Sequence, residues 1–519
     1  MDFNEDDFKN AAEKIANFIV EYDSILKSCP VSNPVKPGDL YNALDAKLPT
    51  SGEKSIDILI DKVRKEISPR MVHWSHPQNS AWFPNVSPKI LALGAMLENT
   101  LNCVGFSWSS SPALTELEQK VMDWLVDIYG LPGHFKFSSK GAGGGCFQGT
   151  AGEAVLNACL AARGRFLATH DVDPRKLVAY CSDQAHCSCS RAAQISLMQV
   201  RRVETNDQAE MTGELLIKQM EKDVAEGYFP AFVAVTLGTT GLCAFDDLKS
   251  IVDVLENQFP SVWIHVDSAY TGPMFVLEEN RHYLAGVEKV DSFNTNLSKM
   301  GIGGFDSSPM WVKNRFDLTN NFVENPDYLR SHENEINDEN VFQVNFRDWT
   351  LAFGRKFRAI RVWLAMEWFG VEGIKEHVKN HIRLAEEFEA LILQNPKYFE
   401  LVKERSFGLV CFRLKGGNNE DHDDFVRRAK TQFGLIVTSA CWKDRTYLRA
   451  TFNDFASTSD DVLKVFRKFM DLALHKASLC AWILEFKAVT SLLACRLSKD
   501  SSRASEVKAR YKTNVAEWM

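Results

Sequence analysis

Residues Trp263–Tyr270 read WIHVDSAY, and residues Asp291–Gly304 read DSFNTNLSKMGIGG. The first is a short apolar run, rich in β-branched and aromatic residues, that ends on an acid, Asp267. The second leaves a similar short run, turns through polar residues, and sets Lys299 before three glycines. A loop lysine is ordinarily a solvated amine. This one stands thirty-two residues after Asp267, and each follows a strand-like run. Ligands in open α/β sheets sit beyond the carboxyl ends of the strands. Asp267 and Lys299 are therefore expected to face one site.

Working outward, the middle of the chain alternates helical stretches with short apolar runs. These are KLVAYCS (176–182), AFVAVTLG (231–238), SVWIHVDSA (261–269) and SSPMWVK (307–313). That alternation predicts βα units and a mostly parallel sheet. Before it, Phe8, Ala12, Ile15 and Ile19 recur at helical spacing behind Asp6 and Asp7 as candidate caps. SNPVKPG (32–38) breaks the chain, a second helix follows near Ile56–Ile67, and HWSHPQNSAWFPN (73–85) is aromatic and turn-rich. After it, GLVCFRLKG (408–416), LIVTSAC (435–441) and TYLRATFN (446–453) read as strands, with helices near Glu376–Leu393 and Asp460–Leu474. The expected organisation is a helical segment over residues 1–88, a large α/β domain over 89–375, a small α+β domain over 376–480, and a C-terminal helix and polar tail over 481–519.

With 519 residues, 45% of them hydrophobic and 25% charged, the chain has the composition of a soluble globular protein. A net charge of −8 argues against nucleic acid, which needs a basic face. The short basic runs VRRVE (200–204) and VKARYK (507–512) read as solvated helix faces. No stretch is apolar enough to span a membrane; CAWILEFKAVTSLLAC (480–495) carries Glu485 and Lys487. The acidic start MDFNEDDFKN lacks the features of a signal peptide. Twelve scattered cysteines fit reduced thiols in a cytoplasmic protein. Cys187 and Cys189 lack the second pair a zinc site needs.

A third element completes the constellation. GGGCFQGTAGEAVLNACLAARGR (143–165) is a glycine-rich loop entering a helix, where Thr150 and the backbone of Ala151 and Gly152 offer an anion site. A phosphate cradle, a buried acid and a strand-end lysine are the parts pyridoxal phosphate requires: the lysine binds it covalently and the acid keeps its ring nitrogen protonated. His186, at the end of the KLVAYCS run, offers an imidazole to stack on the ring. Each part alone is ordinary. A glycine marks a turn, Asp267 would serve as a helix cap, and a lone histidine is a satisfied core residue.

Together the motifs resemble a known family, the pyridoxal-phosphate-dependent group II amino acid decarboxylases, and within them the aromatic L-amino acid decarboxylases. The resemblance runs from about Asn17 to Ala473. It rests on HWSHPQNSAWFPN, CVGFSWSSSPALTELE, GGGCFQGTAGEA, YCSDQAH, VTLGTTGLCAFDDL, WIHVDSAYTG, DSFNTN with SK and FDSSPMWVK, and GLVCFRLKG. It implies an aminotransferase-like, fold type I α/β architecture with a seven-stranded central sheet, and an intertwined homodimer. It implies Lys299 as the Schiff-base lysine, Asp267 as the pyridinium partner, Ala269 against the ring and His186 stacked over it. Thr150, Ala151, Thr240 and Asn296 match the phosphate neighbourhood. Trp74, Trp82, Phe83, Pro84, Val104 and Phe106 match the substrate pocket, part of it donated by the second subunit.

The implied activity is loss of CO2 from an aromatic L-amino acid to give the amine. The chain also departs from the family. Phe346, in NVFQVNFRDWTLAFGRKFR (340–358), replaces a loop tyrosine that delivers a proton to Cα, and a phenyl ring has none to give. Relatives with phenylalanine there tend to be aldehyde synthases, in which dioxygen attacks that carbon. Insect aldehyde synthases carry asparagine where this chain keeps His186, which points back to the amine. The charged stretch Arg330–Asn345 is expected to be a lid or a surface insertion. Ser298 and Met300 replace a histidine and a tryptophan, Gly152 a serine, and Trp82 a tyrosine; Gly354 leaves room where phenol-selective relatives carry serine. A third reading is a weakly active paralogue that binds partners, which retention of Lys299, Asp267 and His186 disfavours.

Overall fold

The computed structural model describes residues 3–324 and 342–474. The C-terminal helix and tail expected over 481–519, and most of the stretch Arg330–Asn345, lie outside the described residues.

The large domain is built on seven strands: β1 (Gly144–Gln148), β2 (Leu177–Ser182), β3 (Gln199–Val203), β4 (Phe229–Thr236), β5 (Trp263–Asp267), β6 (Ser292–Asn294) and β7 (Ser308–Val312). Their order is β1-β7-β6-β5-β4-β2-β3. Strands β3, β2, β4, β5 and β6 are parallel; β7 alone is reversed, pairing antiparallel with β6 on one side and with β1 on the other, so β1 runs with the rest. The inner strands are buried along their length, as a sheet covered by helices on both faces requires. β3 is the exception. VRRVE, read from sequence as a solvated helix face, forms this edge strand. Its β-branched valines favour a strand, and its arginines suit an edge because charge there blocks further pairing. Arg201 Nε donates to Asp223 at 2.7 Å, and Arg202 Nη1 to the Asp183 carbonyl at 3.2 Å.

The small domain carries β8 (Phe399–Leu401), β9 (Leu409–Leu414), β10 (Thr438–Trp442) and β11 (Arg445–Thr451) in an antiparallel sheet of order β10-β11-β9-β8. The helix Arg358–Leu393 joins the domains and is longer than the sequence predicts. It breaks at Gly370, where φ is 60° and ψ is 178°. Before the break Ala359, Val362 and Ala365 enter the large core; after it Leu384, Phe388 and Ile392 enter the small one. A non-glycine residue would be strained at that φ.

The N-terminal helix Glu5–Ser28 is capped by Asn4, whose side chain accepts from the Asp7 amide at 2.9 Å, rather than by Asp6 or Asp7. Asparagine is as good a cap as aspartate, and placing it at Asn4 puts three acids in the first turn. The following chain packs on the small domain: Val31 lies in its core, and the Ser32 amide donates to the Gly434 carbonyl at 2.9 Å.

Candidate active site

The carboxyl ends of β4, β5 and β6 open into a cavity of about 490 Å³. Thr150, Ala151, Gly152, His186, Thr240, Asp267, Ala269, Asn296 and Lys299 all line it. Every residue expected from sequence to hold the cofactor is thus in one cavity, although the residues come from separate segments spread over 150 positions. Thr236, Gly238, Tyr270 and Arg191 line it as well.

Lys299 sits on the short helix Leu297–Met300. Burial, opposed by Asp267 and aided by Arg449, pushes its amine below the ordinary lysine range. A buried amine that loses its proton more readily is a better nucleophile toward an aldehyde. Lys299 Nζ lies 5.4 Å from the centre of the Phe83 ring, and Phe83 stacks on Tyr270 at 3.9 Å. Two long-range bonds fix the lysine turn. Asn453 Nδ2 donates to the Lys299 carbonyl and, at 3.2 Å, to that of Pro84. The Val86 amide donates to the Ser298 carbonyl at 2.8 Å.

Asp267 ends β5, where its Oδ1 accepts from the Ala269 amide at 3.0 Å. Thr150 caps the helix Ala151–Leu167, accepting from the Glu153 amide at 3.3 Å. The first amides of that helix face the cavity as an anion site. His186 caps the helix Cys187–Ile195. Its Nδ1 accepts from the Ser188 amide at 3.2 Å, and an amide only donates, so the neutral ring carries its proton on Nε2. Burial, then the charge of Lys299, lowers its pKa from 6.5.

Other expected residues lie elsewhere. Trp74 and Trp82 stack on each other at 4.9 Å and stay partly exposed. Trp82 takes a left-handed φ of 54°, a strained choice for a bulky residue and of the kind found beside ligand sites. Val104, Phe106 and Gly354 do not line the Lys299 cavity of their own chain. Phe106 stacks on Phe353 at 5.4 Å, and Val104 and Gly354 share a separate surface depression. Phe346 is not at the cavity either. It is 1% exposed and packs edge-on to Trp349 at 5.8 Å, with the Arg355 guanidinium 4.6 Å from its ring centre. Arg355 is itself paired with buried Glu118. Sequence reasoning passed over Tyr270, Arg449 and Asn453. Tyr270 lies only three residues past Asp267, whereas no local signal marks the other two.

Residues 37–415 match the pyridoxal-dependent decarboxylase conserved domain. This chain belongs to the pyridoxal-dependent decarboxylase family. It is 38% identical to aromatic-L-amino-acid decarboxylase of Mus musculus over 453 residues, covering 85% of this chain and 92% of the relative. It is 36% identical to histidine decarboxylase of Drosophila melanogaster over 91% of this chain and 56% of that longer protein. The crystal structure of Rhodiola rosea 4-hydroxyphenylacetaldehyde synthase superposes with a TM-score of 0.84 at 29% identity, covering 92% of this chain and 100% of that one.

The decarboxylase uses pyridoxal phosphate, and its cavity fits that group. It combines a buried amine, a carboxylate and a helix N-terminus. At its wall the backbone turns through Gly238, whose φ of +87° is a conformation glycine adopts without strain. When bound, the cofactor supplies a protonated ring that draws electrons from the substrate's Cα as CO2 departs. Among the described residues no helix is long and apolar enough to cross a membrane.

Proposed function

We propose that the decarboxylase removes CO2 from an aromatic L-amino acid and releases the amine. The aromatic pair beside the lysine carries this reading: Phe83, stacked on Tyr270, stands over the Lys299 amine. Flat rings recognise a flat ring through offset stacking. In this reading Lys299 holds the cofactor, Asp267 keeps the ring nitrogen charged, and the helix entered at Thr150 holds the phosphate with Ala151, Gly152, Thr240 and Asn296. His186 supports release as the amine, because its Nε2 proton is available in the cavity to be passed to Cα.

The working unit in this reading is a homodimer. Helix Ile90–Leu101 exposes Leu93, Met96, Leu97 and Leu101, and nearby Val104, Leu351 and Phe353 are exposed too. An apolar surface of this kind marks a subunit interface. Val104, Phe106 and Gly354 would then complete the partner's pocket. The ten cysteines among the described residues are all free thiols, which supports a reducing cytoplasmic setting.

A second reading, the aldehyde synthase, is favoured by the likeness to the Rhodiola enzyme. One assay separates them. The loaded protein is given dopa, 5-hydroxytryptophan, tyrosine, phenylalanine and histidine in air, and amine, aldehyde and peroxide are quantified together. Amine from an aromatic substrate without peroxide is expected. Aldehyde with matching peroxide establishes the second reading, and turnover of histidine alone overturns the aromatic assignment.

A further inference from the structure

A chain of hydrogen bonds runs behind Asp267 between β5 and β6. Side chains two apart on a strand share a face, so Trp263, His265 and Asp267 point the same way. The register sets His265 opposite Ser292 and Asp267 opposite Asn294. Trp263 Nε1 lies 2.7 Å from Ser292 Oγ. Ser292 Oγ lies 2.7 Å from His265 Nδ1, and His265 Nε2 lies 2.8 Å from Asn294 Oδ1.

The direction of the chain follows from its last member. The Asn294 oxygen only accepts, so His265 Nε2 carries the ring proton and donates to it, which leaves Nδ1 to accept from Ser292 Oγ. The Ser292 oxygen in turn accepts from the Trp263 indole N–H. The imidazole is fully buried, which pushes its pKa down to about 4, against the pull of Asp267, the charged group that acts on it. With its oxygen held, Asn294 has Nδ2 left over, buried and without a hydrogen-bond partner among the described residues. Thr236, opposite Asp267 on β4, has a buried Oγ1 in the same condition. Asp267 is flanked on both neighbouring strands by a spare donor.

We propose that His265 is a positioning residue for Asp267: as a neutral Nε2–H imidazole it locks the Asn294 amide so that its N–H edge stays beside the carboxylate. This rests on the assignment of Asp267 to the cofactor's ring nitrogen. A carboxylate steadied in its ionised form holds a protonated ring more tightly than one free to rotate or take up a proton. His265 touches neither substrate nor cofactor in this scheme.

The test uses the full chain, free of cofactor and loaded with pyridoxal phosphate. Imidazole 15N resonances are followed from about pH 5 to about pH 8, with His265 assigned by its loss in His265→Gln. A neutral Nε2–H ring throughout is expected; an Nδ1–H ring, or one that titrates in this range, overturns the proposal. Cofactor affinity is then measured by fluorescence quenching. His265→Gln, which keeps one donor and one acceptor, is expected to stay within about twofold of the parent. His265→Phe and Asn294→Leu are each expected to bind about tenfold more weakly. Asp267→Asn separates the two levels. If it binds normally, the role of Asp267 fails and the proposal with it. If it binds weakly while Asn294→Leu binds normally, the proposal alone fails. Should His265→Phe not fold, the tautomer and Asn294→Leu still decide.

Discussion

Gly152 offers a gain-of-function experiment. It is the second residue of the helix Ala151–Leu167 and lines the cavity where the amides converge. A Cβ there would meet only Thr150 Oγ1 at 3.5 Å and Ser188 Cβ at 3.8 Å, ordinary contact distances. Gly152→Ser therefore fits without displacing its neighbours and adds a hydroxyl to the anion site. A hydrogen bond to a charged acceptor contributes about 1.5–3 kcal/mol. That is about ten- to hundredfold in affinity. Replacing glycine by serine in a helix adds about 0.5 kcal/mol of stability, which is present with or without cofactor. Gly152→Ala supplies the same Cβ and no hydroxyl, so it isolates the hydrogen bond. The assay is titration of the cofactor-free protein with pyridoxal phosphate, read by fluorescence quenching. The serine variant should bind at least about tenfold more tightly than both the parent and the alanine variant. Equal affinity of serine and alanine variants, with the fold intact, would refute the assignment of this helix end to the phosphate.

Three further outcomes are expected. Burial raises Asp454 from 3.8 to about 7. The folded chain thus keeps a proton that the unfolded chain releases above about pH 4, and stability falls as pH rises toward 7. Asp454→Asn should be more stable than the parent at pH 8, by up to about 4 kcal/mol in chemical denaturation, with the gap closing near pH 4. Phe346→Tyr should leave the amine-to-aldehyde ratio unchanged and lower the melting temperature, because its hydroxyl enters a buried apolar site at a cost of about 1–3 kcal/mol; a rise in the amine share would show that the ring reaches the chemistry. Glu118→Gln strands the buried Arg355 guanidinium and should destabilise the fold by about 3–5 kcal/mol in chemical denaturation.

Most of the cofactor cavity was legible because its parts carry local signals. Asp267 ends a β-branched run, Lys299 follows the short strand Ser292–Asn294, Thr150 opens a helix behind glycines, and His186 follows a strand. The sheet was legible for the same reason, except at β1, where the glycines of Gly144–Gln148 read as a loop, and at β3, where two arginines outweighed the valines beside them. What stayed hidden is set by distance along the chain. Asn453 reaches Lys299 from the end of β11, and Arg449 stands 5.1 Å from the centre of the Phe83 ring. Nothing near either residue announces that contact. Phe346 is a different case. Its matched position implies chemistry, while the structure packs its ring against Arg355 and Trp349. Val104, Phe106 and Gly354 likewise match pocket positions by resemblance, yet they lie outside the Lys299 cavity of this chain.

The two-pronged bond from Asn453 also dates the birth of the site. During synthesis the glycine-rich loop, His186, Asp267 and Lys299 all leave the ribosome well before residue 453. Until β11 has been made and docked, the carbonyls of Lys299 and Pro84 lack their shared donor. A chain still being translated therefore has every reactive group but not the clasp that holds the lysine in place. Maturation is timed by the last strand of the small domain, and a chain that ends before that strand would carry the chemistry without the frame to use it.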